Sequence, residues 1–160
     1  GGMGDGQFLP DETVTREQLA KMLSVAFAIT ESSEVPFDDV QQSAWYAPYV
    51  EKVYAGGFVK GISGTEFGVG RPVNRQDFIV ILYRILQNKN VVMKSAEPAF
   101  QDASEIADYA KDAVGAMAAI GAVKGTNEGN IEPKRAASRA EAAKLIYEAM
   151  QLAEKGMGVE

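Results

Sequence analysis

The 160-residue sequence has no cysteine and no histidine. Their absence removes disulfide staples, thiolate nucleophiles, the usual zinc ligands and the commonest general base. Proline occurs six times and tryptophan once. No apolar run approaches the roughly 20 residues that a membrane-spanning helix needs. Positive charge is outweighed, with 16 Lys and Arg against 22 Asp and Glu. With no basic block and a net charge of −6, nucleic acid is not an expected partner. What remains is a chain of ordinary apolar content, long enough to build a core. No enzyme, cofactor or metal is expected from it. The adjacent Asp38 and Asp39 lack the spaced oxygen ligands of a calcium loop.

Against these absences stands an internal repeat. Phe8-Leu9-Pro10 through Arg16-Glu17, Phe67-Gly68-Val69 through Arg75, and Ile131-Glu132-Pro133 through Arg139 align without gaps. Arg16, Arg75 and Arg139 each follow a residue suited to cap a helix: Thr15, Asn74 and Ser138. Thr15 with Gln18, and Ser138 with Glu141, have capping-box spacing. Asn74 with Asp77 is a near variant. Behind each cap the apolar residues keep one helical phase. This predicts that Leu23, Leu82 and Ile146 are buried and that Lys21, Val80 and Lys144 are more exposed.

A second block precedes two of these helices. Phe37-Asp38-Asp39 leads through Trp45 to Gly57-Phe58-Val59-Lys60-Gly61. Phe100-Gln101-Asp102 leads through Tyr109 to Gly121-Ala122-Val123-Lys124-Gly125. Gly57 and Gly121 are placed to end helices in a left-handed cap. Gly61 and Gly125 are expected to need positive φ. Asp39 and Asp102 precede the following helices and are expected either to cap them or to bind a ligand. One unit thus reads as helix, glycine-rich turn, loop and capped helix. The polar stretches Thr30–Pro36 and Gln87–Pro98 separate the units. Gly2 precedes Phe8 by the interval that separates Gly61 from Phe67, so the first unit opens after its glycine turn and without its first helix. Residues 1–30 form that half unit, 36–87 and 99–151 are full units, and 152–160 is a tail.

The order Phe-x-Asp, an aromatic, Gly-x-Val-Lys-Gly, Phe-x-Pro and Thr/Ser-Arg-Ala-Glu resembles the S-layer-homology family. The resemblance implies an all-α fold of tandem helix–turn–helix repeats, packed as pseudo-threefold lobes around a helical hub. It implies a noncatalytic module on the bacterial cell surface that binds secondary cell-wall polysaccharide, an acidic glycan with a pyruvate-ketal sugar, in grooves between repeats. Carried over by motif, the ligand-binding residues are Arg16, Trp45, Lys60, Gly61, Arg75, Tyr109, Lys124, Gly125 and Arg139, with Asp39 and Asp102 as further candidates. Arg16 would cooperate with the Trp45–Lys60 block, and Arg75 with the Tyr109–Lys124 block. Val69 stands where the motif has proline, and Asn74 and Asp77 replace its Thr/Ser and Glu, so the grooves are unequal.

The residues themselves leave alternatives open. A cation in the first turn of a helix opposes the macrodipole and needs compensation. A ligand carboxylate or an internal carboxylate would each supply it. Trp45 and Tyr109 would serve packing or sugar stacking, and Lys60 and Lys124 would be loop lysines or ligand cations. The second functional reading is a helical protein-interaction module of a surface layer, with self-association through the incomplete first unit.

Overall fold

A computed structural model describes residues 12–158. Gly2, Phe8, Leu9 and Pro10 lie outside them. The described chain is helical: α1 Arg16–Ala26, α2 Ala47–Ala55, α3 Arg75–Asn88, α4 Lys111–Ala119 and α5 Arg139–Gly158, with 3-10 turns at Ala103–Glu105 and Asp108–Ala110. Among the described residues β-structure is confined to three isolated bridges. No described helix is long and apolar enough to cross a membrane.

Local chemistry sets the helix ends. Thr15 closes a complete capping box with Gln18 at the start of α1. The Asn74 side chain accepts the Asp77 N–H at 2.9 Å before α3. Ser138 and Glu141 exchange two bonds at the start of α5, at 3.1 and 2.9 Å. α2 ends where Gly57 turns to φ 76°, and Gly121 follows α4 at φ 81°, both as expected.

The three capped segments are joined by a closed cycle of backbone bonds. Val14 N–H donates to Ala137 O at 3.0 Å, Ala137 N–H to Val73 O at 2.8 Å, and Val73 N–H to Val14 O at 3.0 Å. These residues occupy one repeat position and are nearly inaccessible to solvent. Around them, the Arg16, Arg75 and Arg139 N–H groups donate to the Arg71, Arg135 and Glu12 carbonyls. Each of these donors belongs to the first turn of a helix, where an N–H lacks an intrahelical acceptor. A neighbouring repeat supplies that acceptor.

Helix pairing runs between repeats. α1 packs on α2, and α3 packs on α4 and on the 3-10 turn before it; α5 packs on both α1 and α3. The neighbours of α1 therefore come from later parts of the same chain. Leu23, Leu82 and Ile146 are buried, and Lys21 and Lys144 are exposed, as the periodicity predicts. Val80 is not exposed: only 8% of its surface is accessible. With α4 and α5 both packed on it, α3 buries a far wider face than one amphipathic stripe.

Gly115 lies inside α4, where alanine would ordinarily favour the helix by about 1 kcal/mol. A Cβ there would stand 1.8 Å from the Ala96 carbonyl oxygen. Backbone cannot yield as a side-chain tip can, so the clash decides the sign. Gly115→Ala is predicted to destabilise the fold by about 1–3 kcal/mol in urea denaturation. An unchanged or raised midpoint would show that 96–98 is not pressed against α4.

Candidate functional site

The motif arginines reach across to the following repeat. Arg16 Nε donates to Phe67 O at 2.6 Å, and its Nη2 to Lys60 O. Its guanidinium also lies 5.0 Å from the centre of the Phe67 ring. Arg75, only 6% accessible, repeats the first contact by donating to Ile131 O at 2.7 Å. It adds a 3.0 Å ion pair with Glu141. The compensation for a cation at a helix N-terminus is thus at least partly internal. Arg75 is therefore not a position where alanine is harmless to the fold. Arg139 is buried as well.

Asp39 and Asp102 are not helix caps. The Asp39 carboxylate accepts the N–H groups of Phe67, Gly68 and Val69 at 2.8, 2.8 and 2.9 Å. Asp102 accepts those of Ile131 and Glu132 at 2.9 and 2.8 Å. Each holds the loop whose carbonyl receives the motif arginine. Burial tends to raise the Asp39 pKa, but the three N–H bonds outweigh it and hold the carboxyl below its ordinary value.

Gly61 and Gly125 are also not positive-φ residues. Gly61 is required for space, because a Cβ would meet the Phe37 ring at 2.4 Å and two carbonyl oxygens at 2.5 Å. At Gly125 the nearest atoms are 3.1 Å away, a milder crowding.

Between α5, the glycine turn of the last repeat and the start of α3 lies a cavity of about 230 Å³. Arg75, Lys124 and Gly125 line it, which brings three of the expected residues together. Arg135, Lys144 and Glu148 line it too and were missed. Arg135 stands four residues before the motif arginine, as Arg71 does in the preceding repeat, so its recurrence was available as a signal. Lys144 and Glu148 carry no motif and are placed only by the fold. The lining thus carries four cations, Arg75, Lys124, Arg135 and Lys144, against Glu141 and Glu148.

The expected aromatics sit elsewhere. Trp45, 55% exposed, stacks edge-on with Tyr46 and lies 5.9 Å from Lys21 Nζ. Tyr109 donates its hydroxyl to Asp77 at 2.5 Å. Burial and that carboxylate push the phenol up to about 12. Lys60 and Gly61 border a second, more open depression with Phe37 and Tyr54.

The described chain is thus a module of helical repeats with a cavity whose lining carries more cations than carboxylates. Residues 1–20, 36–79 and 99–143 match the S-layer homology domain, and the chain belongs to that family. It is similar to the exoglucanase XynX of Acetivibrio thermocellus, at 31% identity over 91% of this chain and 14% of that protein. It is likewise similar to an amylopullulanase of Thermoanaerobacterium thermosulfurigenes, at 31% over 91% of the chain and 8% of that protein. A surface-layer 125 kDa protein of Lysinibacillus sphaericus matches at 28% over 78% of the chain and 10% of its own length. The chain thus spans a small part of each relative. It is a cell-wall anchoring module of the bacterial cell surface. The enzymatic names belong to much longer relatives, and this chain matches only the anchoring domain.

Glu141 joins the cavity to the cap of α5. Burial tends to raise its pKa, but the Arg135 guanidinium, the Ser138 N–H and Arg75 outweigh it and hold the carboxyl at about 2, against 4.5 in the open chain. A folded-state pKa below the unfolded one adds stability above pH 4.5 that is lost as the pH falls toward about 2. Glu141→Gln is predicted to flatten the melting temperature profile across that interval. Parallel profiles for the two proteins would contradict the assignment.

Proposed function

We propose that the chain is a noncatalytic module that holds its parent protein on an acidic secondary cell-wall polysaccharide. The cavity of Arg75, Lys124 and Gly125 would take a pyruvate-ketal sugar. The observation that carries this reading is the excess of cations in that cavity on a chain of net charge −6. Lys124 is exposed and has no ion pair among the described residues, so a ligand carboxylate would gain a charge-assisted contact there. Arg75 and Arg135, both engaged by Glu141, would add positive potential more than free donors. Arg16, Lys60, Gly61, Trp45, Tyr109 and Arg139 would serve weaker or separate contacts outside this cavity. Several contacts along one glycan chain would add avidity.

The test separates binding from folding. Lys124→Ala should weaken calorimetric binding of a pyruvylated wall-polysaccharide fragment by about tenfold with an unchanged melting temperature. Arg75→Ala should lower the melting temperature as well, because it breaks a buried contact between repeats. Wild-type protein should also sediment with purified sacculi and lose that property once the polysaccharide is stripped. Undiminished binding by Lys124→Ala would remove the cavity from the account, and retention on stripped sacculi would remove the polysaccharide.

One observation favours self-association, through α5 and not through the first repeat as the sequence suggested. Ala143 and Tyr147 are exposed on α5, whereas Ala20 and Ser24 on α1, and Ile79 on α3, are buried at the same repeat positions. A second copy covering that face would make the protein dimerise in analytical ultracentrifugation, and Ala143→Glu should abolish the dimer. A monomer at all concentrations would sink this reading.

A further inference from the structure

The two full repeats have corresponding cavity positions with different occupants. Five and nine residues after the motif arginine, α5 carries Lys144 and Glu148, while α3 carries Val80 and Arg84. In the earlier repeat Val80 is buried. Arg84 reaches back to the glycine turn and donates to Phe58 O at 3.1 Å, so its side chain bridges helix and turn. In the later repeat the residue after the turn glycine is Ala122 instead of Phe58, and Glu148 stands where Arg84 would be. There the space is open as the 230 Å³ cavity. Lys144 and Glu148 both line it, and neither has an ion pair among the described residues.

We propose that Lys144 and Glu148 are further ligand-binding residues and that the chain has one competent cavity of this kind, the earlier counterpart being closed by Arg84. This inference rests on the polysaccharide reading above. Lys144 lines the same cavity as Lys124, so an acidic group of the sugar bound there would have two ammonium groups available to it. Glu148 is an acceptor with no donor among the described residues, one helical turn beyond Lys144, and suits a sugar hydroxyl. The ligand class is therefore a hydroxyl-bearing acidic sugar, and a simple carboxylate would leave Glu148 unused.

The experiment is calorimetric titration of the whole chain with a pyruvylated wall-polysaccharide fragment and, separately, with pyruvate alone. Lys144 is exposed, and Lys144→Val copies the residue found at the corresponding place in α3. It should weaken fragment binding about tenfold with an unchanged melting temperature. Glu148→Arg, which copies the closed repeat, should abolish binding at this cavity, and Glu148→Gln should weaken the fragment while leaving pyruvate unaffected. Stoichiometry should be one fragment per chain. Wild-type binding at two equivalent sites, or normal binding by both Lys144→Val and Glu148→Arg, would overturn the inference while leaving the anchoring reading intact. Failure of the wild type to bind the fragment would remove both.

Discussion

Every helix that carries a motif arginine begins at one feature, the closed cycle of hydrogen bonds among Val14, Val73 and Ala137. Opening one bond would leave a buried N–H and a buried carbonyl unpaired, at about 1–3 kcal/mol for each group. The cycle also explains why the repeats cannot be treated as separate lobes. Each Arg N–H finds its acceptor in a neighbouring repeat, and α1 and α3 take α2 and α4, the helices that follow them in the chain, as packing partners. Packing between the described helices runs between repeats, while the Asp39 and Asp102 bonds tie each full repeat internally.

The arginines follow from the same constraint. Once their backbones are fixed at the cycle, the guanidinium groups of Arg16 and Arg75 meet the carbonyls of Phe67 and Ile131. Asp39 and Asp102 hold those same loops by their N–H groups. An arginine on the carbonyl side and an aspartate on the amide side thus clamp one short loop in each full repeat. This gives Arg, Asp and the loop a structural reason to recur, independent of any ligand. The cavity lies beside the clamp, lined by recurring residues such as Arg75, Lys124 and Gly125 and by Lys144 and Glu148, which differ from Val80 and Arg84 of the preceding repeat.

What could be read from sequence divides along the range of the interactions. Caps at Thr15, Asn74 and Ser138 involve residues three apart and were legible. So were the terminating glycines Gly57 and Gly121. Val80 was misplaced because α3 is packed on more than one side, and distant segments leave no trace in its own periodicity. Asp39 was misread because its partners lie 28 to 30 residues away, while a following helix offers a plausible local role. Of the site, the motif residues Arg75, Lys124 and Gly125 were legible and converge. Trp45 and Tyr109, grouped with them by motif, meet Lys21 and Asp77 on the preceding helices instead. Lys144 and Glu148 could be found only once α5 was placed against the turn.

The central claim is that this module recognises acidic wall glycan in the cavity between α5 and the last glycine turn. Its most direct test is a two-dimensional amide NMR titration of the labelled chain with the pyruvylated fragment. The account predicts saturable shifts at Gly121, Lys124, Gly125 and Lys144, with the amides around Trp45 and Lys21 nearly still. Saturable shifts centred on Trp45 and Lys21, with the cavity amides unmoved, would contradict it.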